Sequence, residues 1–227
     1  MICLQRIRYI RTFCASKAIS SHYDIVIVGG GLVGSAMACA IGKNSSLSSK
    51  KILLLDSLKI VQPKVREEDW YSNRVSAIAP SSVELFENMY ISIVSDLNIW
   101  KQISVKAQPI EDGCSESRIT FKQSKSSSPV AYIVENWRIV NALHQCLRES
   151  LNINWKQETS FCELSLPENL DESVVLKLDN GEVVESSLLI AADGANSKVR
   201  EISGLKYTNE DYGQSCIVGS LEISPSQ

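Results

Sequence analysis

Four stretches of the chain set its architecture through the spacing of their apolar residues. In YDIVIVGGGLVGSAMACAIG, Tyr23 to Gly42, a short β-branched run gives way to glycines and then to an alanine-rich segment, which predicts strand, turn and helix in that order. KILLLDS is a second buried strand that stops at Asp56. NWRIVNALHQCLRES places Ile139, Leu143, Cys146 and Leu147 on one helical face, with His144 one step off it and so at the flank of that face. VVLKLDNGEVVES alternates on both sides of Asp179-Asn180-Gly181 and predicts a hairpin with a type I′ turn. It runs directly into LLIAADG, a strand apolar on both faces that belongs inside a parallel sheet and ends at Asp-Gly, with a helix starting at Asn196 and Ser197.

Between these elements the pattern changes. Pro80-Ser81-Ser82 followed by Glu84 reads as a helix start with Ser81 and Glu84 spaced for a capping box. From Ser104 to Ser128 short alternating pieces such as SRITFKQ predict a small antiparallel sheet inserted into the βαβ domain, and AYIVEN then returns to the core. The fold class expected is therefore α/β: a Rossmann-like domain with a parallel central sheet and an inserted, incomplete antiparallel sheet.

The glycines carry the first chemistry. Gly29-x-Gly31-x-x-Gly34 lies after a strand and before a helix, where the first glycine permits the turn, the second lets backbone approach a diphosphate, and the third lets helix and strand pack closely. The helix start offers unpaired amides and a partial positive charge to the anion. Asp56, at the end of the second strand, is placed to take ribose hydroxyls, and an acid there disfavours a 2′-phosphate. The bland reading of Asp56 is a solvated strand end, and that of Arg74 an ordinary surface arginine.

Composition narrows the functional classes. The net charge of -3, with no basic stripe after residue 23, argues against nucleic acid as a partner. Before that point Arg6, Arg8, Arg11 and Lys17 stand among apolar residues without an acid, the pattern of a mitochondrial transit peptide, with a disordered basic tail as the bland reading. No run approaches the ~18 apolar residues of a membrane span, which leaves peripheral contact with a membrane surface open. The seven cysteines are scattered without a CxxC pair, so the expectation is reduced, mostly buried thiols with neither disulfide framework nor zinc site. With only His22 and His144 present, a histidine-centred triad or metal cage is not expected, and no catalytic residue is assigned.

The glycine motif, SNRVSAIAPSS, VENWRIVNALHQCL, LLIAADGANSKVRE and DYGQSCIVGSLEIS together resemble the flavin-dependent aromatic-ring hydroxylases, most of all their ubiquinone-biosynthesis branch. The resemblance covers residues 23 to 224. It implies FAD, with Gly29, Gly31 and Gly34 at the diphosphate, Asp56 at the ribose, Arg74 in contact with the cofactor, and Asp193 and Gly194 against the diphosphate-ribose region. Asn136 stands where many relatives have a flavin-contacting arginine. The activity implied is hydroxylation of a polyprenylated phenol or hydroxybenzoate, in a mitochondrion at the matrix face of the inner membrane. An electron donor such as NAD(P)H or a ferredoxin-type chain, and other ubiquinone-biosynthesis enzymes, would be its partners.

The domains expected are a transit peptide at 1–22, FAD-binding segments at 23–103 and 134–207, an inserted sheet segment at 104–133, and the start of a substrate domain at 208–227. The second Gly-Asp box and the helical region found later in such hydroxylases do not appear in the sequence, so a C-terminally truncated form is expected. Two other readings stand beside it: a nucleotide-binding module that works with another chain, and an NAD-dependent dehydrogenase.

Overall fold

The structure is a computed structural model, which describes residues 20–59, 72–89, 91, 98–100, 102–107, 117–122, 130–169 and 171–219. Along the chain run β1 (Ser20–Val28), α1 (Leu32–Lys43), β2 (Ile52–Leu55), β3 (Val75–Ile78), α2 (Pro80–Asn88), β4 (Asn98–Trp100), β5 (Gln102–Ala107) and β6 (Ser117–Lys122). They are followed by β7 (Ala131–Glu135), α3 (Asn136–Glu149), β8 (Ile153–Lys156), β9 (Phe161–Ser165), β10 (Val174–Leu178), β11 (Val183–Ala191) and α4 (Lys198–Ile202). The fold is α/β with a Rossmann-like parallel sheet, as its sequence pattern predicts.

The main sheet has the order β8-β2-β1-β11-β10-β9. Its first four strands are parallel, and β11, β10 and β9 continue it as an antiparallel meander. Strand alternation sends residues of β1 and β2 to opposite faces. Ile25, Ile27, Ile52 and Leu54 pack under α1 and α3 against Ala38, Cys39, Ile139, Leu143, Cys146 and Leu147. Val26, Val28, Leu53 and Leu55 pack on the other side against Phe161, Val174, Leu176, Leu178, Val184 and Val199. A continuous apolar run such as Ile52–Leu55 is required because both faces are covered.

Register fixes the site. Val28 lies opposite both Leu55 and Ala191, and Leu55 opposite Lys156, so four strands end at one height. The amides just beyond them close the edge: Gly29 N donates to Leu55 O at 2.8 Å, Ala192 N to Val28 O at 2.8 Å and Asp56 N to Lys156 O at 2.9 Å. Residues following these strands must therefore meet.

Several local expectations are corrected. α2 has Ala79 at its N-cap with no side-chain cap, and Pro80 occupies the first turn. Ser81 and Glu84 are two residues too far into the helix for a capping box, because proline's fixed φ and missing N–H suit the first helical position. AYIVEN does return to the core, as strand β7 with Val134 in the helix-side cluster, and it does so between β3 and β4 in a separate antiparallel sheet. The hairpin after Leu178 is not type I′, since Gly181 has φ +87° whereas Asn180 is not left-handed. Gly181 N donates to Leu178 O at 3.0 Å and Leu178 N to Glu182 O at 2.8 Å, a three-residue loop in which only the glycine takes positive φ. Cys39 and Cys146 are buried, whereas Cys162 and Cys216 are exposed.

β5 and β6 pair antiparallel from Gln102↔Lys122 to Ala107↔Ser117, with β5 beginning two residues before the 104–133 segment expected to carry the inserted sheet. β1 begins at Ser20, inside the 1–22 stretch assigned to the leader, whose residues 1–19 lie outside the described residues. From Leu205 to Gly219 the chain has no regular secondary structure, and Leu205, Tyr207, Tyr212, Ile217 and Val218 are exposed. Residues 220–227 lie outside the described residues.

One ion pair ties the parallel sheet to the meander. Lys156 at the end of β8 donates to Glu182 beside the hairpin, each side chain about one quarter exposed. Lys156→Met is expected to lower stability by up to ~1 kcal/mol, because partial exposure keeps the pair weak. Urea unfolding measures it, and the deficit should shrink in high salt.

Candidate functional site

The turn after β1 is built around two glycines that cannot be replaced cheaply. Gly29 has φ +105°, and a Cβ there would stand 2.2 Å from Ala192 O. A Cβ on Gly34 would stand 1.8 Å from Gly29 O, so α1 packs on the turn with no room for a methyl group. Gly31 differs: nothing lies within 4 Å of its Cβ position, and the residue is exposed toward a cavity. α1 starts there with Gly31 at its N-cap, no side-chain cap and no acid in its first turn. The first amides of a helix have no acceptor within it, so this end is an open set of donors for an anion.

Gly30 is not marked by the motif spacing. A Cβ on it would lie 2.4 Å from Asp56 Oδ2, and its carbonyl accepts the Ser35 hydroxyl at 2.9 Å. The cradle and the acid of β2 are therefore packed directly on each other. Asp56 is only 8% exposed, and its Oδ1 accepts the Leu58 amide at 3.0 Å, which fixes the turn beyond β2.

Around these residues lies a cavity of about 460 Å³ lined by Gly29, Gly30, Gly31, Asp56, Asp193 and Gly194, among others. A size in the hundreds of cubic ångströms suits a nucleotide-sized ligand. Its lining also includes Thr159 and Ser160 on the loop after β8, Phe161 at the start of β9, and Lys198 on α4. The Thr159 amide donates to Asp56 O at 2.9 Å, anchoring that loop to the acid. Thr159 and Ser160 carry no motif, and the register of β8 beside β2 brings them in.

The Asp-Gly pair that precedes α4 has a structural duty as well. Asp193 Oδ1 accepts the Ser197 hydroxyl at 2.6 Å and Oδ2 accepts the Val199 amide at 3.1 Å. Ser197 in turn caps α4 by accepting the Arg200 amide at 3.0 Å. Burial works to raise the Asp193 pKa, but the hydrogen bonds from Ser197, Val199 and neighbouring backbone outweigh it and hold the carboxyl below the usual carboxylate range. Gly194 follows with φ +84°, which turns the chain across the mouth of the cavity.

Of the seven residues singled out by sequence, Gly29, Gly31, Asp56, Asp193 and Gly194 line one cavity, and Gly34 supports it from beneath. Arg74 is not among the lining residues. It is exposed just before β3, where its carbonyl accepts the Asn136 amide at 3.0 Å. Asn136 Oδ1 accepts the Ser76 hydroxyl at 2.5 Å, and Glu135 accepts the Ser72 amide at 2.5 Å and pairs with Arg138 at 2.7 Å. The junction of β7 and α3 thus holds the strand that carries Arg74.

No family model matches the chain. Among curated proteins it is similar to the ubiquinone biosynthesis monooxygenase COQ6, mitochondrial, of Caenorhabditis elegans, with 41% identity over 221 residues, 92% of this chain and 46% of that protein. The protein of the same name from Homo sapiens is 35% identical over 215 residues, 89% of this chain and 44% of that one. The chain spans about half the length of the curated relatives it matches. Among solved structures it resembles p-nitrophenol 4-monooxygenase from Pseudomonas putida, at TM-score 0.62 and 19% identity over 83% of this chain and 45% of that one. It also resembles the flavin-dependent monooxygenase PieE in complex with FAD and substrate, at TM-score 0.59 and 19% identity over 81% of this chain and 32% of that one. At these identities the two structures establish the shared fold.

Proposed function

We propose that the chain, which is similar over about nine tenths of its length to ubiquinone biosynthesis monooxygenases, supplies the dinucleotide-binding part of an FAD-dependent hydroxylase acting on the ring of a polyprenylated phenol or hydroxybenzoate. The observation that carries this is the convergence of the Gly29–Gly31 turn, Asp56 and Asp193-Gly194 on one cavity at the ends of four parallel strands. Ligands of open parallel sheets bind at this edge.

The residues present fit the adenosine diphosphate part of the cofactor. The open side of Gly31 and the free amides at the start of α1 would take the diphosphate. Asp56 would accept the ribose hydroxyls, with Thr159, Ser160 and Phe161 closing the far side. Gly194 would bring backbone against the diphosphate-ribose region, with Asp193 fixing the loop. Arg74 is proposed to reach the cofactor from the second sheet, outside this cavity. Bound flavin supplies the redox chemistry by which dioxygen hydroxylates an electron-rich ring. This chain's residues bind and orient it, and none of them is assigned proton transfer.

The relatives named mitochondrial support the same location for this chain, with residues 1–22 as its leader. No helix among the described residues is long and apolar enough to cross a membrane. A peripheral position on the matrix face of the inner membrane would give access to a prenylated substrate. A reductant, NAD(P)H or a ferredoxin-type chain, and other enzymes of the pathway complete the proposed partners.

The test is an absorbance spectrum of the purified chain after incubation with FAD and desalting. The expected result is a flavin band close to one per chain. Folded protein that retains no flavin but binds ADP would instead support a nucleotide-binding module that pairs with another chain.

A further inference from the structure

Among the described residues that line the cavity there are two acids and a single cation. The acids are Asp56 and Asp193, and the cation is Lys198, the first residue of α4. A diphosphate entering this space adds negative charge to that of the two carboxylates. The start of α1 meets it with only a partial charge, roughly half an elementary charge for a helix N-terminus. A full positive charge on the lining therefore bears directly on whether such a ligand is held.

Lys198 is fixed in place. Its Nζ donates to Phe161 O at 3.0 Å and stands 4.8 Å from the centroid of the Phe161 ring. Phe161 is buried at the start of β9, so the ammonium rests on a rigid platform. This contact also closes the rim of the cavity. Gly30 is packed on Asp56, Asp56 O accepts the Thr159 amide at 2.9 Å, and two residues further on Phe161 accepts Lys198. The Asp193 loop then leads from Lys198 back to the glycine turn, where Ala192 is packed on Gly29.

The ammonium is not spent on the neighbouring acids. Asp193 Oδ1 accepts the Ser197 hydroxyl, its Oδ2 accepts the Val199 amide, and Asp56 Oδ1 accepts the Leu58 amide. No ion pair joins Lys198 to a carboxylate among the described residues. An ammonium has three donors, and Phe161 O takes one of them. A lysine that shares a cavity with two carboxylates and pairs with neither can serve another anion without first breaking an ion pair.

We propose that Lys198 is a binding residue of the dinucleotide site, its ammonium supplying the full positive charge that the ligand's diphosphate needs beside Asp56 and Asp193. This rests on the dinucleotide reading of the cavity. Lys198→Gln keeps a donor for Phe161 O and removes the charge, whereas Lys198→Arg keeps the charge. ADP titrations by calorimetry are made on the full chain and both variants at about 0.05 M and about 0.5 M salt, between which the screening length shortens roughly threefold. At low salt Lys198→Gln is expected to bind ADP about tenfold more weakly than the parent, and Lys198→Arg within about threefold of it. At high salt the deficit of Lys198→Gln should shrink to about threefold or less, because the parent loses the charge's contribution to screening. Affinity of Lys198→Gln within about twofold of the parent at low salt overturns the proposal, and so does a deficit that high salt leaves unchanged, the result expected of a side chain that only props Phe161. A parent chain that binds no ADP removes the dinucleotide reading and this proposal with it, whereas a parent that binds ADP no better than Lys198→Gln removes this proposal alone.

Discussion

Gly34→Ala is expected to abolish dinucleotide binding and to destabilise the chain by roughly 1–3 kcal/mol, the range for overpacking a tight contact. The added methyl would lie 1.8 Å from Gly29 O and 3.2 Å from Ala192 Cβ. The first of these is backbone and belongs to the turn that precedes the cradle, so no side chain can swing away to relieve it. α1 must move off the sheet, and with it the first-turn amides that face the cavity. The affinity loss should exceed what the stability loss explains, because the helix start and the Gly31 amide are displaced together. Chemical denaturation gives the first quantity and ADP calorimetry the second. Gly31→Ala is the matched control: nothing lies within 4 Å of its Cβ position, so its stability should change little while a methyl intrudes on the ligand side.

Asp193→Ala is expected to cost about 2 kcal/mol and to loosen the mouth of the cavity. The carboxylate accepts from the Ser197 hydroxyl at 2.6 Å and the Val199 amide at 3.1 Å. Hydrogen bonds to charged groups contribute roughly 1.5–3 kcal/mol each, and the partial solvent exposure of this one reduces the sum. The same interactions give a pH dependence. The folded-state pKa of Asp193 is held below its unfolded value of about 3.9, so its contribution is complete above that pH and is lost as pH falls through the lower folded value. In the parent chain, stability should therefore drop more steeply below about pH 4 than in Asp193→Ala, and the two denaturation curves should converge at low pH. Parallel curves through the acid range would contradict the proposed role of the cap.

Local patterns make much of the site legible. A glycine after a strand that must turn at once, and an acid closing a fully apolar strand, are determined by residues within a few positions. Gly29, Gly31, Gly34 and Asp56 are therefore readable from the amino-acid sequence alone. Asp193-Gly194 is readable for the same reason, as the end of a strand apolar on both faces. What the Asp193 side chain does is not, because its partners are the hydroxyl and amide of the following helix.

Other parts depend on contacts between distant segments. Thr159 and Ser160 reach the cavity because β8 pairs in register with β2, and nothing in these two residues signals that. The meander of β9, β10 and β11 covers the second face of the sheet, which a hairpin signal alone does not reveal. The burial of His144 escapes helical periodicity, which ranks positions around one helix and ignores what lies opposite. Here the opposite element includes β8, whose Trp155 ring lies 4.8 Å from that of His144. Arg74 stays outside the cavity, since β3 belongs to the second sheet rather than to the strands that end at the cradle.

The most direct measurement is an amide-resolved titration of the chain with ADP. The account predicts one-to-one binding, with the largest resonance shifts at Gly31, Leu32 and Asp56 and smaller ones at Ser160 and Gly194. Absence of binding, or shifts confined to residues away from the ends of β1 and β2, would contradict it.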